Sequence, residues 1–343
     1  MIEIDGSYLE GGGQILRTSL SLSCLSGKAF IIRDIRKNRP KPGLQPQHLH
    51  AVLACQRLCD ARVSGASIGS SQLSFVPGAI KPGLIEVDVG TAGSLTLIMQ
   101  AALLPASFAE VTFSLIGGTD VPFSQPYDHF KNVLLPLLDQ FALFKAKLER
   151  RGYYPKGGGR ITVKTFPKYP YEYGGFEGLR TALASGVGVI ELVAKPSSRV
   201  CGMSHASSLL RKAQVAERQR DAATALLAKS GLKADILIDY SDSECAGSGI
   251  TLWFENSGVG ADCLGERGKK AELVGEDAAI RLLDESKHGV DQNTADQLLP
   301  WLGLCKKTEI ETRITDHCKT NMYTVEKFLG AKFTASGNRI SLR

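Results

Sequence analysis

One unit of six elements recurs along this chain, and that recurrence narrows what it can fold into more than any other feature. Residues 1–5 alternate as a strand. The run Glu10-Gly-Gly-Gly-Gln-Ile-Leu-Arg17 opens a helix that reaches about Leu25. A strand is predicted over 29–35, a helix over 47–59, and short strands near 61–65 and 72–76. The same β-α-β-α-β-β order begins again at 85, a spacing of roughly 85 residues. Here 85–89 is a strand, Thr91-Ala-Gly-Ser94 opens a helix to about Phe108, and 111–116 is a strand. A helix over 128–141 and strands near 143–149 and 160–165 complete the copy.

The C-terminal part repeats the unit less regularly. Helices are predicted at 276–287 and 294–303, a strand at 308–314, a helix at 320–329, and strands near 331–334 and 339–342. Between the second and third copies, the segment 184–270 reads as an inserted β-α-β-β domain. It has a strand over 187–194, a long charged helix over 204–230, and strands over 234–239 and 249–254. The stretch 169–178, rich in Gly and Tyr, is its expected entry linker. This gives a repeat domain of 1–183 plus 271–343 and an insert of 184–270.

In each copy a strand feeds a turn that opens a helix, and these turns hold the residues capable of chemistry. Glu10-Gly-Gly-Gly13 lets backbone N–H groups come close to an anion, because glycine has no Cβ. It has neither P-loop nor dinucleotide-fingerprint spacing. Glu10 beside it can hold a divalent ion that bridges phosphates. Arg17, one turn on, is placed to reach back over the loop, and Gln14 lies on the same first turns. Arg36, Lys37, Arg39 and Lys41 crowd a turn stiffened by Pro40, Pro42 and Gly43, which suits phosphate. In the third copy Arg313-Ile-Thr-Asp-His-Cys-Lys-Thr-Asn321 puts His317 on a strand-to-helix turn, with Thr320 and Asn321 as capping residue types. A helix N-terminus favours neutral imidazole and attracts phosphate, which is what a phosphate-accepting nucleophile needs. Convergence of these helix N-termini is expected if the copies pack around a pseudo-threefold axis.

With 343 residues, 43% hydrophobic and 22% charged, the chain can bury a substantial core. Its net charge of +6 is compatible with anionic partners. The eight cysteines lack any Cys-x-x-Cys, which reads as reduced thiols in a cytoplasmic protein rather than a disulfide frame or zinc site. No signal peptide and no membrane-spanning run are read from the sequence.

Taken together, these stretches resemble the RNA 3′-terminal phosphate cyclase family. The likeness rests on Glu10-Gly-Gly-Gly-Gln-Ile-Leu-Arg17, Lys41-Pro-Gly-Leu44 with Gln47-His48-Leu49, and Gly90-x-Ala-Gly-Ser94 with Gln100. Gly117-Gly-Thr-Asp120, Gly152-x-Tyr-Pro-x-Gly-Gly-Gly159, Ala295-Asp-Gln-Leu298 and His317-x-x-Thr-Asn321 complete it, in the family's order from end to end. The resemblance implies an α/β (α+β) fold. It would have three β-α-β-α-β-β repeats similar to the C-terminal domain of translation initiation factor 3 and a small thioredoxin-like insert. It implies ATP-dependent conversion of an RNA 3′-phosphate to a 2′,3′-cyclic phosphodiester through a covalent histidine–AMP. His317 would be the nucleophile. Gln100, Pro126, Asn293, Asp296, Gln297 and Arg17 would bind ATP. Gln14, Arg36, Arg39, Lys41 and Gln47 would hold phosphates or the RNA end, and Glu10 would ligate Mg²⁺ or Mn²⁺. Where the family has a Tyr packed on adenine, this chain has Asn293. The expected partners are ATP and RNA 3′-phosphate ends, with no membrane and with a homodimer as an option. A non-catalytic relative serving as a ribosome-assembly factor is the alternative, and the intact His317 motif argues against it.

Overall fold

The computed structural model describes residues 1–171 and 175–342. The first unit is β1 (Ile2–Asp5), α1 (Gly13–Ser26), β2 (Phe30–Arg33), α2 (Pro46–Cys59), β3 (Arg62–Ser64) and β4 (Leu73–Val76). Its strands lie in the order β1-β2-β4-β3, with β1 and β2 parallel and the rest antiparallel. The second unit is β5 (Gly83–Asp88), α3 (Leu95–Ala106), β6 (Val111–Gly117), a helical segment, β7 (Ala142–Arg150) and β8 (Gly159–Pro167). That segment is α4 (Tyr127–His129) and α5 (Leu135–Leu138), joined by a π turn over Phe130–Leu134 where Pro136 follows. The strand order β5-β6-β8-β7 matches the first unit position for position.

Beyond β8, the expected linker 169–178 is partly outside the described residues, at 172–174. From Gly175 to Gly186 the chain is helical (α6), followed by β9 (Val189–Leu192). The next elements are β10 (Arg199–Ser207), α7 (Val215–Lys229), β11 (Lys233–Ser241), β12 (Ser248–Phe254), β13 (Gly260–Leu264) and α8 (Ala271–Glu285). Then come α9 (Gln292–Leu302), β14 (Lys307–Glu311), α10 (Asp316–Leu329), β15 (Phe333–Ser336) and β16 (Arg339–Leu342). The third sheet is β9-β14-β16-β15, again the same order, with β9 and β14 parallel.

This pairing corrects the insert boundaries expected at 184 and 270. The strand near 187–194 opens the third repeat instead of the insert: Ile190 belongs to the main core and Val189 pairs with Lys307. The helix expected at 276–287 belongs to the insert, because Val274, Ala278, Ala279 and Leu282 join a separate core with Val200, Leu227 and Leu252. The insert is therefore spliced between the first strand and first helix of the third unit, which is as regular as the others. The long helix expected over 204–230 is also shorter. Ser204–Ser207 end a strand buried on both faces, where Ser204 Oγ donates to the Ala216 carbonyl at 2.7 Å. The insert sheet runs β11-β10-β12-β13.

Helix α1 packs against α3 and α10, and α3 also meets α2 and α9, so helices of all three units share one apolar interior. Every cysteine is free, and Cys24, Cys55 and Cys59 lie buried together within it. Among the described residues no helix is long and apolar enough to cross a membrane.

The insert is fastened to the second unit by a buried ionic cluster. Arg151, 1% exposed, reaches Asp120 at 3.2 Å, Asp128 at 2.9 Å and Asp239 of the insert at 2.8 Å. His205 of the insert sits 3.3 Å from Asp120 and meets the Tyr153 hydroxyl at 2.9 Å. Burial alone would raise the Asp120 pKa; His205 and Arg151 outweigh it and hold the carboxyl well below the usual range. Asp120, Asp128 and His205 have the spacing of metal ligands, but the Arg151 guanidinium already supplies their positive charge.

Candidate active site

A cleft of about 990 Å³ opens where the first turns of α1, α2, α9 and α10 and one side of α3 meet the edge of the insert. Helix α1 begins at Gly13 with Gly12 as its cap, so no side chain satisfies its first N–H groups and no acidic residue lies in its first turn. That leaves an anion site at a positive helix end. The preceding loop needs glycine twice over. Gly11 has φ +56°, and a Cβ on Gly13 would stand 2.0 Å from His48 Nε2. His48 is buried there and accepts from the Gln45 N–H at 3.2 Å, forming the capping box of α2. Burial, with Arg17 and Arg36 nearby, pushes its pKa down to about 3, so the ring is neutral and free to accept.

His317 lies in the first turn of α10 and not on a turn before the helix. The helix starts earlier than the sequence suggests because Thr315, not Thr320 or Asn321, is the cap, its hydroxyl accepting from Cys318 N–H at 3.2 Å. Asn321 has a different job. It accepts from Thr18 Oγ1 at 2.6 Å and donates to the Asp296 carbonyl, tying α10 to both α1 and α9. Gln14 Nε2 donates to the His317 carbonyl at 3.2 Å. The His317 ring stands 3.5 Å from Glu10 Oε2, which also accepts from Arg39 at 2.7 Å. Burial lowers the His317 pKa; Glu10 pulls it up, Arg17 and Arg39 push it down, and the net shift is downward. The imidazole is therefore biased toward the neutral, nucleophilic form.

Arg17 is buried, which lowers its pKa to about 10, and it donates to Gln100 Oε1 at 2.7 Å. Asp296 shares this end of the cleft. Burial raises its pKa to about 8 against the opposing pull of Arg17, and its Oδ1 has no hydrogen-bond partner. The basic turn is held in a strained shape, with Arg36 at φ +55° and its guanidinium donating to the Gly43 carbonyl at 3.2 Å.

The fold thus brings Glu10, Gln14, Arg17, Arg36, Arg39, Lys41, Gln47, Gln100, Asn293, Asp296 and His317 to one cleft. Pro126 and Gln297 are not on its wall. Pro126 caps α4 behind the lining residues Phe123, Ser124 and Gln125, and Gln297 turns back to donate to the Asn293 carbonyl at 3.1 Å. The sequence reading missed the far wall: Gly260, Ala261, Asp262, Arg281, Asp284 and Glu285 from the insert, and Arg313. Arg313 pairs with Asp284 and lies 4.0 Å from Glu285, which neutralises that side. Arg313 stands four residues before His317, but no motif marks the insert residues, which only folding brings to the cleft.

Glu10 is a single carboxylate beside the uncapped N-terminus of α1, a donor set compatible with Mg²⁺, which is commonly held by one or two carboxylates with the remaining positions left to phosphates and water.

The fold and this cleft define an α/β protein whose repeats and insert enclose one cleft, with His317 in the first turn of α10 on its wall. A family profile described as RNA 3′-terminal phosphate cyclase matches residues 8–335. The chain is 44% identical to the RNA 3′-terminal phosphate cyclase of Pyrococcus abyssi, over 98% of this chain and 96% of that protein. It is 43% identical to that of Archaeoglobus fulgidus over the full length of both, and 42% identical to that of Saccharolobus solfataricus over 99% and 97%. The chain belongs to the RNA 3′-terminal phosphate cyclase family.

Proposed function

We propose that this protein uses ATP to convert RNA 3′-phosphate ends to 2′,3′-cyclic phosphodiesters, with His317 carrying AMP between the two substrates. The observation that carries this reading is the placement of His317. It is a histidine biased to neutrality, at a helix N-terminus, facing Glu10 and the basic groups Arg17 and Arg39 across a cleft large enough for a nucleotide.

The neutral His317 attacks the α-phosphorus of ATP, forming a P–N bond as the bond to the β-phosphate oxygen breaks and pyrophosphate leaves. An oxygen of the RNA 3′-phosphate then displaces the histidine, so the AMP phosphorus moves to the RNA end. The neighbouring 2′-OH finally attacks the 3′-phosphorus, loses its proton, and expels AMP. The two groups share one ribose, so proximity supplies much of this last step.

Arg39 and Lys41 from the basic turn, with Arg17 and the free N–H groups of α1, would balance phosphate charge through the sequence. Gln100, held by Arg17, and Asp296, neutral at pH 7 and thus able to donate, would orient the nucleotide. A divalent ion on Glu10 would neutralise charge on the phosphates. Glu10 and Arg39 would also fix the His317 ring for attack.

A 3′-phosphorylated oligoribonucleotide tests the proposal. With ATP and wild-type protein its end should become resistant to phosphomonoesterase, and with His317→Ala it should stay sensitive. Full conversion by His317→Ala would rule the mechanism out.

A further inference from the structure

One residue on the cleft wall is arranged in a way that neither folding nor phosphate binding explains. Phe123 is fully exposed, at 102% of its reference surface, and its backbone is left-handed with φ +64°. A bulky side chain in that region is a real outlier, and such strain persists only where the surroundings impose it. The surroundings do so here. Val121 and Tyr127 on either side are buried, and Ser124 Oγ donates to the Val121 carbonyl at 3.0 Å. Thr96 Oγ1 donates to the Gln125 carbonyl at 2.7 Å, pinning the loop to the first turn of α3. A lone exposed phenyl on a convex surface is ordinary. This one stands on a braced loop at a concave site, and among the described residues that line the cleft it is the one carbocyclic aromatic.

We propose that Phe123 is the stacking platform for a nucleobase bound in the cleft. Most other wall residues offer charge and hydrogen bonds, which recognise phosphate and ribose, and the apolar ones, Pro40, Leu97 and Ala261, present no aromatic face to a base. Asn293, across the cleft, has no ring to offer. Base–aromatic stacking is tolerant of which base is stacked and strong enough to justify exposing a phenyl ring on a strained turn. The base has two sources, the adenine of ATP and the terminal base of the RNA. This inference rests on the nucleotide- and RNA-binding reading above.

The test is equilibrium binding by calorimetry of ATP, and separately of a 3′-phosphorylated oligoribonucleotide, to wild type, Phe123→Ala, Phe123→Leu and Phe123→Trp. Labelling of His317 from ATP is followed in parallel. The ring makes no core contact, so all three variants should fold as wild type does. Loss of roughly tenfold affinity in Phe123→Ala and Phe123→Leu, with Phe123→Trp as tight as wild type, is expected. If ATP weakens, the base is adenine. If RNA alone weakens, and an RNA ending in an abasic ribose binds all variants equally, the base is that of the RNA. Unchanged affinity for both ligands in Phe123→Ala overturns the inference and leaves the His317 chemistry standing. Absence of label on wild type, with Phe123→Ala still weakened in binding, would instead remove the chemistry and keep the stacking.

Discussion

Replacing Arg151 by methionine keeps an unbranched apolar stem and removes the guanidinium with its charge. Arg151 is 1% exposed and serves carboxylates in two parts of the chain, Asp120 and Asp128 in the second repeat and Asp239 in the insert. Asp239 is 39% exposed and can rehydrate, so its share is small. Asp120 and Asp128 are buried and cannot. Stranding buried charge by removing one partner costs about 3–5 kcal/mol, a large part of the ~5–15 kcal/mol that a domain has in total. In wild type the Asp120 pKa lies below its unfolded value of 3.8, so its contribution is complete above that pH and is lost only as pH falls through the folded pKa. In Arg151→Met the sign reverses. The stranded carboxyls gain protons more easily folded than unfolded, so the deficit should shrink as pH falls from 8 toward 5. The chain has two cores, so the readout should be local: amide hydrogen exchange across β10 and β12, with urea unfolding followed at the same pH values. Adding Asp120→Asn should recover part of the loss. Arg151→Met as stable as wild type, or a deficit independent of pH, would refute the reasoning. Because the insert supplies the Gly260–Asp262 wall, ATP affinity should fall alongside.

Asp296→Asn should stabilise the protein without ligand. The folded pKa of Asp296 is about 8 against 3.8 unfolded, so it costs stability increasingly as pH rises through that window, by ~1.4 kcal/mol per unit. The variant should therefore match wild type near pH 4 and exceed it most at pH 8, by thermal unfolding; equal stability at all pH values would contradict the shift. Gly13→Ala sets a helix-propensity gain of ~1 kcal/mol against an overlap of its Cβ with His48 Nε2 at 2.0 Å. Displacing His48 also breaks the α2 cap, so a net loss of about 1–3 kcal/mol is expected in urea unfolding, with loss of RNA-end conversion. Phe123→Gly should raise the melting temperature slightly by relieving a left-handed phenylalanine while weakening ligand binding.

Much of the repeat could be read from sequence because its strands alternate and its helices open on glycine or capping residues. Ile2–Asp5, Val111–Gly117 and the Glu10-Gly-Gly-Gly13 turn all stand where the pattern puts them. The third unit could not be delimited that way. Val189–Leu192 pairs with a strand beyond the whole insert, and local periodicity carries no information about a partner that distant. Ser204–Ser207 read as the start of a helix because a strand end buried on both faces by serines and histidine lacks alternation. Most of the cleft was legible through its charged turns. The exceptions were residues whose role is purely spatial: Arg151 looks like any arginine of a basic pair, and Arg313 and Asp284 become a wall only after folding. Phe123 looked like a loop residue until its backbone angle and exposure were known.

The account stands on His317 as the group that takes AMP. The most direct measurement is incubation of the purified protein with α-labelled ATP and Mg²⁺ or Mn²⁺, followed by denaturing electrophoresis, for wild type and His317→Ala. The account predicts an acid-labile label on wild type that the variant lacks. A label that survives in His317→Ala, or none on wild type with either ion, would contradict it.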